Sequence, residues 1–109
     1  SEIAYNMPCY DLVSFLNVFH HIVHFKGFSE ADKIMKCLYK KTNKYFIFET
    51  GQYNEKGLYW SNDLSFMGNS PTQWVFEYLQ MLGFSDVKMV SKFKTHLNSE
   101  ERGFFICTK

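Results

Sequence analysis

The sequence has no apolar run near the roughly 18 residues that a membrane-spanning helix needs. Its first ten residues, Ser1–Tyr10, carry no charge but Glu2 and lack the basic-then-apolar order of a signal peptide. Cysteine is scarce: Cys9, Cys37 and Cys107 are scattered, odd in number, and no two are close enough for a metal pair. That argues against a disulfide framework and for a reducing, cytoplasmic compartment. Charge of one sign is also lacking. Twelve Lys plus Arg against 11 Asp plus Glu leave +1, which excludes a globally basic nucleic-acid binder and a polyanionic tail. Apolar and aromatic residues are plentiful: the chain is 46% hydrophobic, with 12 Phe, 7 Tyr and 2 Trp. This is a globular composition, not a disordered one. No internal repeat, low-complexity stretch or linker divides it, so residues 1–109 read as a single unit.

Asp11–Asn17 is a short, mostly apolar run that reads as a buried strand. Val18–His24 is left open between a loop and a turn of helix. Ser29–Lys41 reads as a helix, with Ser29 as N-cap, Glu30 and Asp32 in the first turn and lysines at the far end. Ala31, Ile34, Met35 and Leu38 form its apolar stripe. Lys33, Lys36, Lys40 and Lys41 lie mostly off that stripe, as an anion patch or simply a solvated face. Lys44–Glu49 is a second strand, apolar on both faces as in a parallel sheet. Gln52–Asn69 is a long segment with turn signals and the aromatics Tyr53, Tyr59, Trp60 and Phe66. It reads either as a substrate-facing loop or as cover for an edge. Ser70-Pro71-Thr72-Gln73 is a helix start, with Ser70 capping, Pro71 in the first turn and Gln73 completing a capping box. Val75, Tyr78, Leu79 and Leu82 continue the apolar face that Trp74 begins, and Gly83 ends the helix. Asp86–Phe93 and Gly103–Thr108 are the last two strands, joined by the polar segment Lys94–Arg102.

Strands alternating with helices imply a parallel sheet. The last connection is too short for a helical crossover, so the final strand runs antiparallel. It is also the more apolar of the last two, which places it between the second and third strands. Right-handed crossovers stepping the same way put both helices on one face. The other face then needs cover from another copy, a partner or further chain.

Ligands in open α/β sheets bind beyond the carboxyl ends of the strands, here Asn17–His21 and Glu49–Tyr53. His20 and His24 have metal-helix spacing. The residue after His20 is His21 rather than a glutamate, and no third ligand is evident, so no metal is expected. A histidine suits a general base near neutral pH, and it equally suits a turn-shaping role. Cys37 and Cys107 fall where a thiol acts as a small hydrophobe.

The run Met7-Pro8-Cys9-Tyr10-Asp11-Leu12-Val13-Ser14-Phe15-Leu16-Asn17-Val18-Phe19-His20-His21-Ile22 resembles the fourth-strand motif of class I S-adenosylmethionine-dependent methyltransferases. A Tyr-Asp pair opens the strand and an apolar-His-His turn closes it. The capped helix ending in Leu82-Gly83-Phe84, followed by Val87 and a closing apolar strand, resembles that family's last helix and final hairpin. The resemblance implies a partial Rossmann-like α/β sheet, mostly parallel with one antiparallel C-terminal strand and helices on one face. It implies Asn17 and Val18 near the sulfonium of S-adenosylmethionine, and His20 or His21 facing the transferred methyl. The family's Gly-rich turn and acidic ribose-binding residue are absent: the six glycines are widely separated and no G-x-G occurs. The chain is therefore expected to be the C-terminal half of such a domain, a transferase portion inactive as an isolated chain, with its methyl acceptor unidentified. The alternative is a non-enzymatic α/β interaction module. Either way the uncovered sheet face predicts a homodimer, with no membrane partner. An RNA-binding module is the third reading, and the balanced charge argues against it.

Overall fold

The computed structural model describes residues 6–109, so the first half of the Ser1–Tyr10 segment lies outside the described residues. The early apolar run forms β1 (Tyr10–Leu16), followed by α1 (Phe19–Lys26) and α2 (Phe28–Lys41). Next come β2 (Thr42–Glu49), a 3₁₀ helix (Ser61–Met67) and α3 (Pro71–Leu82), and the hairpin β3 (Asp86–Lys94) and β4 (Glu101–Thr108) closes the fold. The sheet order is β1-β2-β4-β3. β1 and β2 pair in parallel, with Val13 beside Phe46 and Phe15 beside Phe48. β4 is antiparallel to both its neighbours. The insertion of the last strand, expected from its apolar content, is thus the observed topology.

One face of the sheet carries the core. Val13, Phe46, Phe48, Phe105 and Cys107 alternate along their strands and are buried against the helices. The α2 stripe supplies Ala31, Met35 and Leu38, and α3 supplies Val75, Tyr78 and Leu79. The Tyr78 hydroxyl donates to Asp32 Oδ1 at 2.7 Å, which ties the two helices together on that face. Each large apolar side chain buried this way stabilises the fold by about 1.5–3 kcal/mol. No helix among the described residues is long and apolar enough to cross a membrane.

Several local expectations change. Val18–His24 resolves into the helix α1, because Phe19 and Val23 are one turn apart and both enter the core. Ser29 does not cap α2. Gly27, at φ 88°, ends α1 and starts α2 one residue later, so the second helix begins at Phe28. Ser70 and Pro71 start α3 as expected, but the Ser70 side chain makes no capping bond and Gln73 instead donates to Glu77 at 3.0 Å. Gly83 sits at φ 119°, where a Cβ would lie 2.9 Å from the Tyr39 hydroxyl. Arg102, expected in the polar connection, is the second residue of β4 and is 2% exposed.

Candidate functional site at the strand ends

The carboxyl ends of β1 and β2 are joined by the Asn17 N–H, which donates to the Glu49 carbonyl at 3.2 Å. Asn17 itself has φ 60°, the left-handed region that asparagine tolerates better than most residues. That turn directs the chain into α1 and leaves Asn17 and Val18 exposed at the end of the strand.

The next two histidines diverge. His20 is 1% exposed. Its Nδ1 accepts the Gly51 N–H at 2.9 Å and lies 3.1 Å from the Thr50 hydroxyl, whose oxygen also accepts the His20 N–H at 3.2 Å. The ring packs on Trp60, with centroids 4.4 Å apart. A Cβ at Gly51 would meet the Trp60 ring at 2.6 Å and the His20 ring at 2.8 Å, so only glycine fits between them. Burial, then the neighbouring charges of His21 and Arg102, lowers the His20 pKa to about 3. With Nδ1 accepting from Gly51, the neutral ring carries its proton on Nε2. This residue joins the β1 turn to the β2 turn as a neutral acceptor.

His21 faces outward and is half-buried. Its Nδ1 lies 3.1 Å from the hydroxyl of Tyr59, whose ring is 63% exposed. His24, one turn on, lies 2.5 Å from Asp63 Oδ2 through its Nδ1. The segment 52–69 thus folds over the histidine turn, bringing Tyr59, Trp60 and Asp63 to His21, His20 and His24 in turn. No group of three His, Cys, Asp or Glu among the described residues could hold a metal ion. Cys107 is buried and its pKa is pushed up to about 12 by burial, then by Asp86, which leaves the thiol inert.

Beside the histidines lies a buried polar network that the sequence did not reveal. Arg102 Nε donates to both Glu55 carboxylate oxygens, at 3.0 and 3.1 Å. Its Nη1 donates to Asn17 Oδ1 at 2.9 Å and to Glu49 Oε2 at 3.3 Å. Glu55 also accepts the Gln52 N–H and the Asn98 amide, and Gln52 accepts the Gly103 N–H at 3.0 Å. The network pins the long segment after β2 to the final hairpin, with Arg102 reaching Asn17 from 85 positions away in the chain. Burial pushes the Glu49 carboxyl above its ordinary pKa, against the pull of Arg102. Arg102 Nη2 is buried with no hydrogen-bond partner among the described residues. Asn17, Glu49 and Arg102 form one wall of a cleft of about 380 Å³, with Phe93–Leu97 of the hairpin as the other.

The structure therefore gathers Asn17, Val18, His20 and His21 at one strand end, as their sequence adjacency requires. It brings to them Glu49, expected at the carboxyl end of the second strand, and Tyr59 and Trp60 of the aromatic segment. Arg102, expected in the polar connection, joins them with no sequence signal for it.

No protein-family model and no curated protein matches the chain. Solved structures do. WbdD, a bifunctional kinase-methyltransferase, is 25% identical and superposes with a TM-score of 0.74, over 97% of this chain and 22% of that one. Magnesium protoporphyrin IX methyltransferase (ChlM) from Synechocystis PCC 6803, crystallised with bound SAH, is 15% identical with a TM-score of 0.61, over 100% of this chain and 49% of that one. The fold is methyltransferase-like, and the chain spans about a fifth of the length of WbdD and half that of ChlM.

Proposed function

We propose that this chain is the C-terminal half of a class I S-adenosylmethionine-dependent methyltransferase domain, acting in methyl transfer when the other half of the site is supplied. The observation that carries this reading is the convergence of Asn17, Val18 and His21 at the end of β1, in a chain that superposes on WbdD with a TM-score of 0.74. The residues present fit the cofactor in part. Exposed Asn17 and Val18 offer polar and apolar contacts at the strand end, and buried Arg102 Nη2 has donor capacity to spare beside them. The chain has no Gly-rich turn to cradle the rest. S-adenosylmethionine, when bound, supplies an electrophilic sulfonium methyl.

The chain's own groups orient and, where needed, deprotonate. Methyl displacement requires in-line placement, and a base only for an acceptor that loses a proton. His21 suits that role better than His20, because its ring is accessible and Tyr59 orients it. His20, a poor base with its Nδ1 committed, fixes the turn. The aromatic segment around Tyr59 is then the acceptor-facing wall. Three free thiols and balanced charge support a reducing, cytoplasmic setting.

NMR titration of the chain with S-adenosylhomocysteine tests this reading. With most of the site's contacts missing, binding weaker than about 0.1 mM is expected. The shifted amides should cluster at 17–21 and 49–53. A 1:1 complex in the low-micromolar range overturns the half-site reading, and shifts confined to another surface overturn the site.

A second reading rests on a different observation. The sheet face away from α2 and α3 exposes Leu12, Leu16 and Tyr45. On this reading the chain is a non-enzymatic interaction module that forms a homodimer through that face.

A further inference from the structure

A separate pocket lies between α2, the 3₁₀ helix and α3. It measures about 490 Å³ and is lined by Phe28, Phe66, Trp74, Glu77, Tyr78 and Met81. That volume lies within the usual range of small-ligand sites. Its ring planes are not parallel. Trp74 and Tyr78 stack within 10° of each other, while Phe66 is inclined 57° to Trp74 and Phe28 64° to Tyr78. Phe28 and Phe66 are themselves inclined by 59°, with centroids 4.8 Å apart. Three mutually inclined planes make the walls of a box rather than a flat patch. The box stays partly open, since Phe28, Phe66 and Met81 are 37%, 36% and 71% exposed.

The charge of the lining has one sign. Glu77 is the single ionisable acid among these residues, exposed at the rim, and no lysine or arginine lines the pocket. The Tyr78 hydroxyl already donates to Asp32, so it offers an incoming anion no free proton. Aromatic faces carry negative quadrupole density, and a carboxylate at the rim adds to it. A small apolar cation satisfies both demands: its methyl groups contact the rings and its charge meets their field and Glu77. An anion finds no cationic side chain in this lining and meets the Glu77 carboxylate at the rim, with the Trp74 indole N–H as a neutral donor, and a neutral apolar group leaves the charge pattern unused.

We propose that this pocket binds a quaternary ammonium group, borne either by a small molecule or by a trimethylated lysine side chain. The proposal does not depend on the methyltransferase reading, because the pocket shares no lining residue with the strand-end site.

The test is NMR titration of the 109-residue chain with choline and, in parallel, with 3,3-dimethylbutan-1-ol, its neutral isostere of the same shape. The expected result is saturable shifts at Trp74, Glu77 and Met81 with choline, and binding of the isostere weaker by roughly three- to thirtyfold. Glu77→Gln, an exposed change that leaves the rings in place, should weaken choline several-fold and leave the isostere unchanged. A trimethyl-lysine peptide binding more tightly than choline assigns the group to a protein side chain. Choline binding at least as tightly assigns it to a small molecule. Equal binding of choline and the isostere, or no saturable shift with choline while the spectrum stays folded, overturns the proposal.

Discussion

The two faces of the sheet have nearly the same apolar chemistry and opposite fates. On the helix side Val13, Phe46, Phe48, Phe105 and Cys107 are all buried. On the other side Leu12, paired across the strands with Tyr45, is 57% exposed and Tyr45 is 48% exposed. Strand alternation puts Arg102 on that same open side, together with Ile106 and Phe104, and yet it is 2% exposed. The open face thus inverts the usual pattern: its arginine is dry and its leucine is wet. The difference is what covers each position. Segment 52–60 folds over the upper end of this face, with Glu55 and Trp60 against the guanidinium, and nothing among the described residues covers the middle.

The sharpest way to break the comparison is to remove the buried charge. Arg102→Met keeps the volume and leaves Glu55 buried at 0% exposure and Glu49 at 5%, without their cation. Breaking a buried pair from one side costs about 3–5 kcal/mol. Urea denaturation should show that loss, and adding Glu55→Gln and Glu49→Gln should recover part of it. A loss below about 1 kcal/mol for Arg102→Met would mean that water already reaches the network and that the open face is wet to its top.

This region also shows how far the sequence carries. Periodicity located both long helices, although neither Ser29 nor Ser70 caps through its side chain, and the short final connection with the apolar content of the last strand led to the order β1-β2-β4-β3, because those signals are local. Asn17, Val18 and the histidine turn were legible for the same reason: adjacent residues at a strand end must lie together. Arg102 was not. Its burial depends on Glu55, 47 positions away, and on Glu49, 53 away, contacts that no periodicity encodes. Nor could spacing separate His20 from His21. Which of two neighbours on a helix turns inward depends on Gly51 and Trp60, which arrive from beyond β2.

His20 permits a middle-sized test through pH. Its native pKa near 3 lies below the ordinary 6.5, so its contribution is fully present above pH 6.5 and is lost as pH falls from there toward 3. Between pH 7.5 and 5 the unfolded chain gains a proton at this position that the native chain refuses, which costs about 2 kcal/mol. His20→Asn retains a side-chain acceptor and removes the titration. Between the two pH values the unfolding free energy should therefore fall further for the parent than for the variant, by about that amount. Parallel pH dependences would show that His20 protonates in the folded state, and that the covered end of the strands is more open than its contacts indicate.

The smallest effect on stability is expected in the middle of the open face, and there the informative quantity is mass. Tyr45 stands opposite Leu12 on one side and Thr108 on the other, half in water. Tyr45→Lys removes little that is buried within the chain, so unfolding free energy measured on the monomer should move by no more than about 0.5 kcal/mol. If two copies pack open face to open face, the lysine is forced, twice by symmetry, into an apolar contact where it has no partner. The parent chain should then sediment at micromolar concentration with twice its 13.0 kDa mass, and the variant with 13.0 kDa alone. Lys33→Glu, on the exposed side of α2 across the sheet, should leave the dimer intact. A parent that sediments as a 13.0 kDa monomer removes the second copy as the cover of this face. A dimer that survives Tyr45→Lys but yields to Lys33→Glu puts the contact on the helical side, and the contrast between the faces would then describe solvent exposure without describing assembly.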